Sequence, residues 1–238
     1  MNTSTNSELA PKIVLAVGAH ADDLECCAGG TLAKFAADGA SVHYLVLTDG
    51  RNGTSDAEVS QNEFVARRQA EQRAAAEIMG VEEVRFGSFP DGQLENSEAV
   101  RRTIVRAIRE LKPDLVVGWD PGFLDDPALG IVNHHDHRVA GEATTRAVYP
   151  EARDRLSFPD LYEQGLKPHN VRTLLMLTAD TRTNFTVTVP EQQRITKYEA
   201  IRAHASQGGV EAEAMVMDGT HVAGQPAVET FRRIDLRG

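Results

Sequence analysis

IVLAVGAHADDLECCAGG, Ile13 to Gly30, decides how the rest of the chain is read. Its first part, IVLAVGA (Ile13 to Ala19), is a short apolar run ended by small residues, the pattern of a strand buried on both faces. A polar cluster, His20-Ala21-Asp22-Asp23, follows at once. The continuation GGTLAKFAADG carries Leu32 and Phe35 at helical spacing, with Gly39 as a C-terminal stop. Strand, charged loop and helix make the opening unit of an α/β fold.

Outward from this unit the pattern repeats. VHYLVLT (Val42 to Thr48) reads as a second strand, followed by the Gly-rich loop Asp49 to Ser55 and a helix from about Glu63 to Met79 that Gly80 ends. VRFGSF (Val84 to Phe89) is a weaker strand, and the turn Pro90-Asp91-Gly92 leads to a helix from about Glu98 to Leu111. Val100, Ile104, Ile108 and Leu111 share one face of it. DLVVGW (Asp114 to Trp119) is the fourth strand. Alternation of this kind predicts right-handed crossovers and a mostly parallel sheet, a Rossmann-like three-layer α/β sandwich.

In such sheets ligands bind beyond the carboxyl ends of the strands. His134-His135-Asp136-His137 follows the fourth strand and opens a helix from about Asp136 to Val148, so both polar segments map to that edge. Pro150 to Asn170 is proline-rich and irregular. RTLLMLT and FTVTV form a late apolar pair before a helix that begins near Pro190.

With 238 residues, 41% of them hydrophobic, a single domain over 1–238 is expected, preceded by an unstructured segment at 1–11. A net charge of −10 repels phosphate backbones and argues against nucleic acid as a partner. No stretch approaches the roughly 18 apolar residues of a membrane span, and the polar start lacks a secretory pattern, so a cytoplasmic protein without a membrane partner is expected. A homo-oligomer is left open. Cys26 and Cys27 are sequence neighbours, which excludes a disulfide framework and makes them small buried hydrophobes of the first helix.

Catalytic zinc takes about three protein ligands and keeps a position for water. His20, Asp23 and His137 supply that set. Asp22 is left free as general base, because consecutive residues on a tight turn point in different directions. His134 and His137, three apart, share a face of a first helical turn, so one can bind metal while the other faces substrate. Asp136 is expected to accept a hydrogen bond from the His134 ring and favour its imidazolium form, which would stabilise an oxyanion. Alone, an Asp pair after a strand is an ordinary turn or helix cap, and His135 an exposed loop residue. The competing dinucleotide-binding domain needs a G-x-G-x-x-G turn after the first strand, where this chain instead has two carboxylates.

AHADDLE (Ala19 to Glu25) and HHDH (His134 to His137) resemble the AHPDDxE and HPDH or HxDH segments of the LmbE-like, or PIG-L, family of zinc-dependent N-deacetylases. TDGRNGT (Thr48 to Thr54) is similar to the family's Gly-rich loop, and ARRQAEQRAAAEIMGV (Ala66 to Val81) to its Arg-and-Glu helix. FPDGQLEN and KYEAIRAHASQ carry the likeness to about Gln207. The resemblance implies Zn2+ held by His20, Asp23 and His137, Asp22 as base, and His134, with Asp136 beside it, as the oxyanion-stabilising or proton-donating group. It also implies that Arg68 and Asp91 lie where relatives contact a sugar, while His204-Ala205-Ser206-Gln207 either closes the pocket or simply ends a helix.

The implied reaction removes an N-acyl group, expected to be N-acetyl, from an amino-sugar-containing small molecule. The second reading is an amidase or deacylase acting on a thiol conjugate or a longer acyl chain with the same metal site. Two departures stand out: Ala21 and His135 occupy positions where the family has proline, so both loops lose the stiffness of a fixed φ.

Overall fold

Four apolar segments of the first half form β1 (Ile13–Gly18), β2 (Ser41–Thr48), β3 (Glu83–Phe89) and β4 (Leu115–Trp119), all parallel. β1 lies between β2 and β4, with Val14 opposite both Val42 and Leu115. That central position explains its unbroken apolar run, since both faces are covered and Val14, Leu15 and Val17 are fully buried. Burying each such side chain stabilises the fold by about 1.5–3 kcal/mol. The computed structural model describes residues 9–126, 130–208 and 227–237.

Helices α1 (Asp23–Ala37), α2 (Gln61–Met79) and α3 (Glu98–Leu111) make the crossovers. Ser60 and Glu63 form a reciprocal capping box at the start of α2, and Gly80 ends it at φ 73°, a conformation that glycine adopts without steric cost. After β4 the chain forms a two-stranded hairpin, β5 (Asp125–Asp126) and β6 (Ile131–Val132), and then α4 (His135–Arg146). A π-helical turn follows (Ala147–Glu151), then α5 (Pro159–Glu163), β7 (Thr173–Leu177), β8 (Phe185–Val189), α6 (Glu191–Arg202) and β9 (Ala227–Asp235).

The sheet runs β3-β2-β1-β4-β7-β9-β8. β7 continues the parallel half, whereas β9 is antiparallel to both of its neighbours. The expected mostly parallel α/β sheet with flanking helices is therefore found, closed by an antiparallel ribbon. β9 has no counterpart in the sequence reading, because AVETFRRID carries charges at positions that pairing between β7 and β8 buries. Glu229 is one of them: 4% exposed, it accepts the Gly30 and Thr31 amides of α1 at 2.9 and 2.7 Å and the Lys197 ammonium at 2.9 Å. A buried carboxylate needs such partners to remain ionised.

The irregular stretch 150–170 is organised by Arg109, 1% exposed, which donates to the carbonyls of Glu151, Ala152, Asp154, Ser157 and Phe158. Of the expected unstructured start, residues 1–8 lie outside the described residues, and Leu9 packs against the core. Cys26 and Cys27 are free thiols in α1. Among the described residues no helix is long and apolar enough to cross a membrane.

Candidate active site

The turn that follows β1 is strained and clamped. Asp22 has φ 90° and ψ −26°, a left-handed conformation that costs a non-glycine residue about 1–3 kcal/mol. Two side chains of α2, one helical turn apart, hold it there. Gln72 Oε1 accepts the Asp22 amide at 3.0 Å. Arg68 Nη2 donates to the Ala21 carbonyl at 2.6 Å, and its Nη1 to Asp22 Oδ2 at 3.1 Å. Burial pushes the Asp22 carboxyl up to about 6, with Arg68 pulling the other way. The side chain keeps 15% of its surface open, enough to meet a water or a substrate.

Asp23 is held differently. Its Oδ2 accepts from the amides of Ala19 and His20 at 2.7 and 3.0 Å and from Trp119 Nε1 at 3.0 Å. Oδ1 is left facing two imidazoles: His137 Nε2 at 3.1 Å and His20 Nδ1 at 3.6 Å. Those nitrogens are 3.2 Å from each other. Burial acts to raise the Asp23 pKa, yet His137 and His20 hold it well below the usual carboxylate range.

Zinc bound tetrahedrally by His and Asp at about 2.0–2.2 Å separates its ligand atoms by about 3.3 Å, which is the spacing of this triangle. The outer ring nitrogen of His137 supports the same assignment. His137 Nδ1 lies 2.9 Å from Asn133 Oδ1, and His20 Nε2 is 3.0 Å from Asp91 Oδ1 and 3.4 Å from Asp136 Oδ2. At His137 that acceptor fixes the tautomer and leaves a lone pair on the inner nitrogen, whereas His20 Nε2 meets its two carboxylates at ion-pair distance without a hydrogen bond. Trp119 stacks on the His137 ring at 3.9 Å, the two planes nearly parallel. Gly141 of α4 allows this approach, since a Cβ there would collide with the Trp119 carbonyl.

Two other groupings also bring potential ligand atoms together: His20 with His134 and His137, and His20 with Asp91 and Asp136. In the second, the carboxylates are already engaged: Asp136 accepts the Gly92 and Leu94 amides at 2.7 and 3.2 Å, and Asp91 accepts the Asn52 amide at 3.0 Å. They contact His20 and fasten the neighbouring loops, while the inner triangle of His20, Asp23 and His137 keeps three ligand atoms facing one another and could hold a metal ion.

The geometry revises three expectations. The hydrogen bond from His134 to the Asp136 carboxylate is absent; instead His134, the N-cap of α4, accepts the Asp136 backbone amide on Nδ1 at 3.1 Å. A ring nitrogen that accepts an N–H carries no proton, which leaves Nε2–H as the donor of His134, and burial, His20 and His137 act in the same sense by lowering its pKa. Arg68, 3% exposed, lies behind the Asp22 turn and not on an open sugar-facing surface. Asp91 is 7% exposed and turned onto His20 and the Gly-rich loop.

Where proline is replaced, Ala21 is buried beneath its bond to Arg68, and the His135 ring lies 3.2 Å from the Leu94 carbonyl. The segment 204–207 ties α2 to the Gly-rich loop: Ser206 bonds Glu71 of α2, and Gln207 Nε2 donates to Gly53 O at 3.0 Å. Sequence reasoning missed Gln72, Trp119 and Asn133. Only Trp119 left a signal, as a polar-tipped aromatic at the carboxyl end of a buried strand.

Residues 15–148 match the GlcNAc-PI de-N-acetylase family, PIG-L. The chain belongs to this family. Diacetylchitobiose deacetylase of Thermococcus kodakarensis is 35% identical to this PIG-L member over 82% of this chain and 70% of that protein. N,N'-diacetylchitobiose deacetylase of Pyrococcus horikoshii, solved with an inhibitor, superposes with a TM-score of 0.82 at 27% identity, over 94% of this chain and 84% of that one. The 4-carboxy-2-hydroxymuconate hydratase GalB of Pseudomonas putida has a TM-score of 0.76 at 21% identity, covering 95% and 98%. That likeness shows the fold alone, and its reaction differs, so chemistry must be argued from side chains. As a PIG-L deacetylase, this chain is a hydrolase of amide bonds.

Proposed function

We propose that this protein is a zinc-dependent hydrolase that removes the acetyl group from an N-acetylglucosamine-containing small molecule, with short chitooligosaccharides as the substrate class. The observation that carries the proposal is the triangle of His20 Nδ1, Asp23 Oδ1 and His137 Nε2 beside the clamped Asp22 carboxylate. Relatives that share most of the chain are named for an acetylated disaccharide, which favours this reading over a thiol conjugate or a longer acyl chain.

Zinc, when bound, supplies Lewis acidity that polarises the acyl carbonyl and acidifies the attacking water. Asp22 accepts the proton of that water as the oxygen adds to the carbonyl carbon. His134 donates its Nε2 hydrogen to the developing oxyanion, a role that needs no charge on the ring. The protonated Asp22 then returns its proton to the leaving nitrogen, and a free amine and acetate depart. Arg68 keeps the Asp22 carboxylate aimed throughout.

The test is acetate release from N,N'-diacetylchitobiose and N-acetylglucosamine by protein loaded with one zinc per chain. Release that disappears on chelation and returns on adding zinc is the expected result. Zinc-loaded protein that releases no acetate from either sugar would overturn the substrate class.

A further inference from the structure

Gln72 does more than fill space beneath the active-site turn. It is fully buried on α2, and both ends of its amide are engaged: Oε1 takes the Asp22 amide at 3.0 Å and Nε2 donates to Glu25 Oε1 at 2.8 Å. The Asp22 backbone N–H can only donate, so Gln72 must turn Oε1 toward it, and the fully buried Glu25 takes the Nε2 hydrogen that this orientation offers. The other oxygen of Glu25 is 3.6 Å from His204 Nε2. The segment 204–207 thus packs against the back of the same network.

The backbone of residue 22 is held at both ends. Its carbonyl accepts the Cys26 amide at 2.9 Å and starts the α1 ladder, while its amide points away to Gln72. No side-chain cap stabilises this end of α1. Without an acceptor at position 72, the Asp22 amide loses its partner and the left-handed turn loses the bond that opposes its relaxation. The carboxylate would then move relative to the metal triangle, although no ligand atom has changed.

We propose that Gln72, hydrogen-bonded to Glu25, is a positioning residue for the reaction: it holds Asp22 in the backbone conformation from which its carboxylate serves as base. This rests on the reading of Asp22 as base given above. Gln72→Met keeps side-chain length and removes both hydrogen bonds. A misplacement of about 1 Å costs on the order of 10²-fold in rate, so kcat is expected to fall by about 10–100-fold with KM little changed. Zinc content should remain at one per chain. A readout independent of turnover is hydrogen exchange at the Asp22 amide, which should become at least about tenfold faster as its acceptor is lost.

An isosteric pair guards against a folding artefact. Gln72→Glu sets two carboxylates against each other and should lose activity, whereas Gln72→Glu with Glu25→Gln rebuilds both hydrogen bonds with the donor reversed and should recover most of it. Wild-type kcat and unchanged Asp22 exchange in Gln72→Met, or a double variant no better than Gln72→Glu alone, would overturn the proposal. Asp22→Asn measured in parallel separates the two failures. If that variant turns over at the wild-type rate, the reading of Asp22 as base fails; if it is inactive while Gln72→Met is unaffected, only the positioning role fails.

Discussion

The turn at 20–23 and the segment at 133–137 bring side chains to the same triangle but are built in opposite ways. The first is fixed from behind: a strained residue, a carboxylate with three donors on one oxygen, and two α2 side chains that clasp the backbone. The second is fixed from within: His134 caps its own helix, and Asn133 orients the His137 ring that follows it by one turn. One construction spends conformational strain to present the Asp22 carboxylate, while the other uses unstrained helix geometry to present two imidazoles. The difference teaches that the Asp22 carboxylate and the imidazoles rest on separate supports, so under the proposed function single substitutions should separate proton transfer from metal binding.

The largest effect is expected for His137→Ala, which removes a corner of the triangle. Metal analysis should find zinc lost and turnover absent; retention of one zinc per chain would move the ligand role elsewhere. Asp22→Asn should keep its zinc and lose about 10²–10⁴-fold in kcat, the range for an acid–base group. His134→Ala should lose about 10²–10³-fold in kcat, again with zinc intact, because one oxyanion donor is removed. A large fall in zinc content there would instead make His134 a ligand.

Trp119→Phe crosses the two constructions, since the indole bonds Asp23 and stacks on His137. Competition with a chelator should show zinc bound about 10–100-fold more weakly. His135→Pro should be the mildest. It is the first residue of α4, where proline is accommodated, so only the contact to Leu94 O is lost. Thermal unfolding should report no more than about 1 kcal/mol, with kcat unchanged.

Both polar segments were legible because each follows a buried strand, and strand order then brings their ends to one edge. Asp22 and Asp23 could be told apart only by their neighbours on a turn, and the structure gives the reason: one carboxylate faces the imidazoles while the other faces Arg68. The supports were illegible. Gln72 looks like any helix glutamine until α2 is packed against the turn, and Asn133 like a loop residue until α4 starts where it does. The pairing expected between His134 and Asp136 failed because helix capping claimed the His134 ring nitrogen first. β9 escaped notice because its alternation is masked by charges whose partners, such as Lys197 for Glu229, are distant in sequence.

The late position of β9 has a consequence for synthesis. The Gly30 and Thr31 amides bond a carboxylate 199 and 198 residues further along the chain, and among the described residues β9 is the one strand that pairs with β8. At about 5–20 residues per second, a ribosome needs about 10–40 s to travel from α1 to Glu229. β7 lies roughly 50 residues before Glu229, so only for about the last 3–10 s of that interval does it present an unpaired edge beside β1 to β4, the kind of surface that invites wrong partners. An edge left open for seconds follows from encoding so late the strand that enters between β7 and β8.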